Sequence, residues 1–115
     1  MNIPELQQLC KAFPGMTEDI KWEDHLCFMV ADKLFLITGF EPDSTVSMKV
    51  SDNDFEELTA RPGIIPAPYM ARYKWVQISD RSSLSAKEWS HYIRKSYEII
   101  RGKLPKKLQK EHGLA

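Results

Sequence analysis

Two cysteines, three histidines and no uncharged apolar run longer than Leu26 to Ala31 exclude several classes of protein for this 115-residue chain. Six apolar residues are far short of the roughly 20 that a membrane-spanning helix needs. The opening Met-Asn-Ile-Pro-Glu lacks the basic and apolar regions of a secretory leader, so the cytoplasm is the expected compartment. Cys10 and Cys27 form no Cys-x-x-Cys pair, and each lies in an apolar pattern that suits a buried thiol. Neither a disulfide scaffold nor a zinc finger is expected. There is no low-complexity tract and no internal repeat, which argues against a disordered chain or a solenoid.

Catalytic motifs are missing as well. The chain has no Gly-x-Ser-x-Gly, no phosphate-cradling glycine loop and no His-Glu-x-x-His. His25 stands near Glu23, Asp24 and Cys27, but it reads as a hairpin-turn residue, and neighbouring strand positions point to opposite faces. His91 and His112 read as surface residues. Glu5, Glu18, Asp19, Glu23 and Asp24 cluster in sequence, yet a run of carboxylates is ordinarily a solvated face. The chain is therefore read as a non-enzyme with no metal site and no cofactor.

What is present is ordinary globular material, with 43% hydrophobic and 28% charged residues, enough for one core in one domain spanning 1–115. The formal net charge of zero hides an asymmetry: residues 1–60 hold 4 Lys/Arg against 12 Asp/Glu, and residues 61–115 hold 12 against 4. Balances of −8 and +8 allow a dipolar surface, unless the two halves interleave and neutralise each other.

Local signals give the order of elements. Asn2 with Glu5 forms a cap for a helix from Ile3, whose stripe is Leu6, Leu9, Cys10 and Phe13, before Pro14-Gly15 ends it. Residues 17–23, 26–31, 33–40 and 45–50 read as an antiparallel meander. Ser51 caps a second helix over 52–60. Pro62, Pro66 and Pro68 make 63–68 an arm that is neither helix nor central strand, and 73–78 follow as a strand. Ser85 and Glu88 open a long helix with the stripe Trp89, Ile93, Ser96, Tyr97 and Ile100, ending near Leu104-Pro105. Residues 106–115 read as a helical turn and a frayed tail. The sum is an α+β fold, an antiparallel sheet packed on N- and C-terminal helices. Strand alternation places Phe35 opposite to Leu36 and leaves both sheet faces partly apolar, the second face being either covered by the arm or open to a partner.

Phe13-Pro14-Gly15 with Thr17-Glu18-Asp19 and Trp22, then Lys33-Leu34-Phe35, Met48-Lys49-Val50, Pro66-Ala67 through Trp75, and Ser96-Tyr97 running to Lys103-Leu104-Pro105-Lys106-Lys107, together resemble the MmcQ/YjbR family. The resemblance covers nearly the whole chain and implies a CyaY-like (frataxin-like) fold with double-wing, DNA-binding character. Where the family often has a His-Met-Asn-Lys-like stretch, this chain has Tyr69-Met70-Ala71-Arg72, keeping a cation and an aromatic without the imidazole.

The resemblance and the basic second half together make DNA the expected partner of a monomer. Arg61, Arg72, Lys74 and Arg81 are assigned to the phosphate backbone, Tyr69 to a stacking or sugar contact, and Lys106 and Lys107 to the same basic surface. The alternative is a protein-interaction module that uses the acidic half or the apolar second sheet face.

Overall fold

The computed structural model describes residues 1–114. Its chain runs α1 (Ile3–Lys11), β1 (Met16–Lys21), β2 (His25–Val30), β3 (Lys33–Thr38), β4 (Val46–Lys49), α2 (Asp52–Thr59), β5 (Ile64–Pro66), β6 (Trp75–Ile78), α3 (Ala86–Gly102) and α4 (Lys106–Glu111). The six strands form one antiparallel sheet in the order β1-β2-β3-β4-β6-β5. This is the α+β arrangement expected from the sequence.

α1, α2 and α3 each start where a side chain can satisfy free backbone donors, whereas α4 begins after Pro105 with no side-chain cap. Asn2 Oδ1 accepts from the Glu5 N–H at 2.8 Å, and the Glu5 carboxylate accepts in return from the Asn2 N–H. Ser51 Oγ accepts from Asp54 N–H, and Ser85 with Glu88 repeats the reciprocal pairing at 3.1 Å each way. Such caps contribute about 1 kcal/mol apiece, and they also fix where each helix axis begins.

One face of the sheet carries the core. Phe28, Met48, Val76 and Ile78 bury against Trp89, Ile93 and Tyr97 of α3 and Leu6 and Cys10 of α1. Tyr92 also turns inward, widening the α3 stripe beyond the sequence expectation. Phe13 stacks on Tyr97 with ring centroids 4.8 Å apart, and Phe35 meets the same ring edge-on at 5.7 Å. Tyr97 carries its hydroxyl to the Pro14 carbonyl, tying α3 to the segment after α1.

Strict alternation fails at Phe35. Across β2, Phe28 pairs with Leu36 and Met29 with Leu34, so Phe35 is the extra residue of a β-bulge. The bulge sends both Phe35 and Leu36 into the same core, correcting the expectation that they face opposite ways.

The proline arm is also resolved. Ile64–Pro66 pairs with β6 as an edge strand, a position that tolerates a residue with no N–H. The chain beyond it returns over Trp75, whose backbone accepts from Ala67 N–H and donates to the Met70 carbonyl. Trp75 is buried there, apart from the main core cluster.

The end of the chain is docked, contrary to the expected fraying through 114. Leu114 is buried, its carbonyl accepts from Arg101 Nη2, and its N–H donates to the Gln109 carbonyl at 2.7 Å. Ala115, the last residue of the tail expectation, lies outside the described residues.

Candidate nucleic-acid interface

The ladder between β4 and β6 decides where each basic residue goes. Lys49 pairs with Trp75 at one end and Val46 with Ile78 at the other. Arg72 and Lys74 precede Trp75 and so lie at the first end. Arg81 follows Ile78, and Arg61 precedes Ile64, which pairs with Ile78, so both lie at the second. The four arginines and lysines assigned to one surface from the sequence therefore divide between opposite ends of the sheet.

At the second end both guanidinium groups are engaged within the fold. Arg61 Nη1 lies 2.8 Å from the Glu88 carboxylate and donates to the Ser83 carbonyl, and Nη2 approaches Glu57 at 3.8 Å. The hydrogen bond to Glu88 raises the Arg61 pKa, and the Ser85 N–H together with Arg61 lowers that of Glu88. Arg81 donates to the carbonyls of Met1 and Ser44 at 2.8 and 3.0 Å. These two side chains brace the fold, and their terminal guanidinium nitrogens are engaged before any phosphate arrives. That corrects their assignment to a free cationic surface.

At the first end cations converge. Lys33, Lys49, Arg72, Lys74 and Lys103 border a recess of about 670 Å³, with Asp52 as its single carboxylate. Trp75 and Leu104 supply apolar wall. Lys49 is 7% exposed, and its ammonium donates to the Tyr73 carbonyl. Burial lowers its pKa, the neighbouring Lys103 and Lys74 add to that, and Asp52 opposes them. Arg72 lies over the Tyr73 ring at 4.8 Å, and Lys74 over the Phe55 ring at the same distance. Lys74 adopts a left-handed conformation, φ 62°, as it closes the short turn before β6. Lys106 and Lys107 are exposed at the start of α4, immediately past Pro105 on the rim.

Lys33 and Lys49 carry part of the family resemblance but were not assigned to the phosphate surface from the sequence, because they belong to the acidic half. A signal existed at Lys49, a lysine set between Met48 and Val50 where strand and core residues were expected. Clustered cations in a concave, partly apolar setting repel one another and attract an anion, and the low-dielectric wall strengthens both effects.

Tyr69 is elsewhere. It is fully exposed, with φ 65°, on a cleft of about 710 Å³ across the sheet face opposite the main core. Trp22 and Phe40, both exposed, share that cleft with Asp24 and Glu41, and no Lys or Arg lines it. His25 Nδ1 sits 2.6 Å from the Asp24 carboxylate. Cys27 is buried with its thiol pKa raised chiefly by desolvation, so the His25 neighbourhood holds no ready thiolate. Among the described residues no group of three or more His, Cys, Asp or Glu could hold a metal ion.

The YjbR family model matches residues 11–99, more than half of the chain. The chain belongs to the YjbR family. The match takes in Lys33, Lys49, Arg72 and Lys74 and ends before Lys103. Among solved structures, the YjbR chain is similar to the Deinococcus radiodurans protein DR2400, which carries the domain of unknown function DUF419. The two are 25% identical with a TM-score of 0.88, over 99% of this chain and 89% of that one. A protein from Pseudomonas syringae is 23% identical with a TM-score of 0.70, over 86% of this chain and 98% of that one. No curated protein matches. No helix among the described residues is long and apolar enough to cross a membrane.

Proposed function

We propose that this YjbR-family chain is a non-catalytic, monomeric DNA-binding protein of the cytoplasm that contacts the phosphate backbone through the basic recess and its rim. The observation that supports this reading most is the gathering of Lys33, Lys49, Arg72, Lys74 and Lys103 around one concavity that holds only Asp52 in return. Uncompensated cations are costly to keep together, and an anion relieves that repulsion. Exposed Arg72 and Lys103 and half-buried Lys74 supply the contacts, and Lys106 and Lys107 extend them along α4. Arg61 and Arg81 act by holding the fold.

Fluorescence anisotropy of a labelled duplex and a labelled single strand, titrated across salt, tests the proposal. Binding should weaken steeply with salt, at about 0.9 logarithmic units per duplex phosphate neutralised. A triple variant Arg72→Ala/Lys74→Ala/Lys103→Ala should reduce both affinity and slope. Unchanged affinity in that variant would remove the recess from consideration.

A second reading rests on the cleft with Trp22, Phe40 and Tyr69. Three exposed aromatics beside two carboxylates form a surface suited to a protein partner. Binding there would depend little on salt and would be lost in Trp22→Ala, whereas Arg72→Ala would leave it intact.

A further inference from the structure

We infer that the basic recess receives a terminal phosphate monoester, at the end of a nucleic-acid strand or on a free nucleoside monophosphate, in preference to the internal diesters of a duplex. The inference rests on the recess being the anion-binding surface, and it is carried by the position of Lys49. Lys49 is the most buried of the cations lining the concavity, a residue 7% exposed, with Lys33, Arg72, Lys74 and Lys103 around it and Asp52 alone to offset them.

A duplex presents its diesters on a convex surface. Each carries one charge and is bonded to sugar on both sides, so exposed Arg72 and Lys103 and half-buried Lys74 can meet it while buried Lys49 stays out of reach. A terminal monoester is attached on one side only, so it can project inward with three terminal oxygens and close to two charges at neutral pH.

The chemistry of the recess fits such a group. Lys49 has three N–H protons, and the described residues give one of them an acceptor, the Tyr73 carbonyl. The remaining donors and the surrounding cations match a dianion better than a monoanion. A volume of about 670 Å³ falls within the range of small-molecule sites, and Trp75, Ile100 and Leu104 offer an apolar wall for the attached sugar or base. Lys103 and Lys74 press on the buried ammonium electrostatically, a repulsion that a bound dianion would reverse.

Anisotropy with one single strand carrying a 5′-phosphate, a 3′-phosphate or hydroxyls at both ends tests this, with adenosine monophosphate as competitor. One or both phosphorylated strands should bind about tenfold more tightly than the hydroxyl-ended strand, the gain expected from one or two added charge-assisted hydrogen bonds. Lys49→Met and Lys103→Met should each erase most of that preference, and the exposed Lys87→Ala at the far end of α3 should keep it. If Lys49→Met does not fold, Lys103→Met decides alone, because that side chain is exposed. The competitor should displace the phosphorylated strand if free monophosphates also enter.

Equal affinity for all three strands, still dependent on Arg72, would overturn the terminal-phosphate inference and leave backbone binding standing. Stabilisation by adenosine monophosphate without binding of any strand would uphold the monoester site and overturn the DNA reading. No binding of any of these molecules would overturn both.

Discussion

Arg81 donates to the carbonyl oxygen of Met1 at 2.8 Å, joining residues 80 positions apart in sequence. The same guanidinium holds the Ser44 carbonyl at 3.0 Å, and the Arg81 carbonyl accepts from Trp89 Nε1 at 3.0 Å. One residue thus connects the chain start, the loop before β4 and the first turn of α3. Truncation at Arg81→Ala strands two carbonyls and should destabilise the fold by about 2 kcal/mol, seen as a lower urea midpoint at unchanged slope. DNA binding at low denaturant should be nearly unaffected, because Arg81 lies at the opposite end of the sheet from the recess.

Lys49 links stability to pH. Its folded pKa is lowered below 10.5, so between that lowered value and 10.5 the unfolded chain binds more protons and this group's contribution to stability rises with pH. An anion in the recess favours the charged ammonium and raises its pKa. Anion binding in that pH window should therefore take up protons, and affinity should fall as pH rises through it. Calorimetric titration with phosphate in two buffers of different ionisation enthalpy measures the uptake; identical apparent enthalpies would contradict it.

Lys103→Met removes one of the crowded charges near Lys49 without opening the core. Thermal stability should be equal or higher, while phosphate or DNA binding weakens. That opposition is the mark of a group kept for binding at the expense of the free fold.

Cys10 is fully buried, and desolvation, with the charge of Glu18 secondary, pushes its thiol pKa up to about 12. It should resist alkylation by iodoacetamide at pH 8 in the native state and react once urea unfolds the chain. Prompt native-state labelling at Cys10, read by mass spectrometry, would show that α1 opens readily.

Features encoded by a few adjacent residues were the ones legible in the sequence. Asn2 with Glu5 and Ser85 with Glu88 announce their helices because a cap is a contact over three positions. The bulge at Phe35 was not legible, since it is defined only by which residues of β2 lie across from it. The charge count misled in a similar way. Summing by half of the chain treats every charge as free, but Arg61 is neutralised by Glu88 while Lys33 and Lys49, from the acidic half, complete the basic recess. Tyr69 looked continuous with Arg72 because three positions separate them, yet the turn at φ 65° places it on another surface.

The strands that border the sheet bear on its colloidal behaviour. A sheet with unpaired outer strands can polymerise by adding copies edge to edge. Here one border, Met16–Lys21, carries Glu18, Asp19 and Lys21, and the other is only three residues long and ends in Pro66. Charge on one side and brevity with a missing donor on the other make the sheet a poor template for its own growth. Pro66→Val, which restores a hydrogen-bond donor and a β-branched side chain at that border, should shorten the lag before fibrillation.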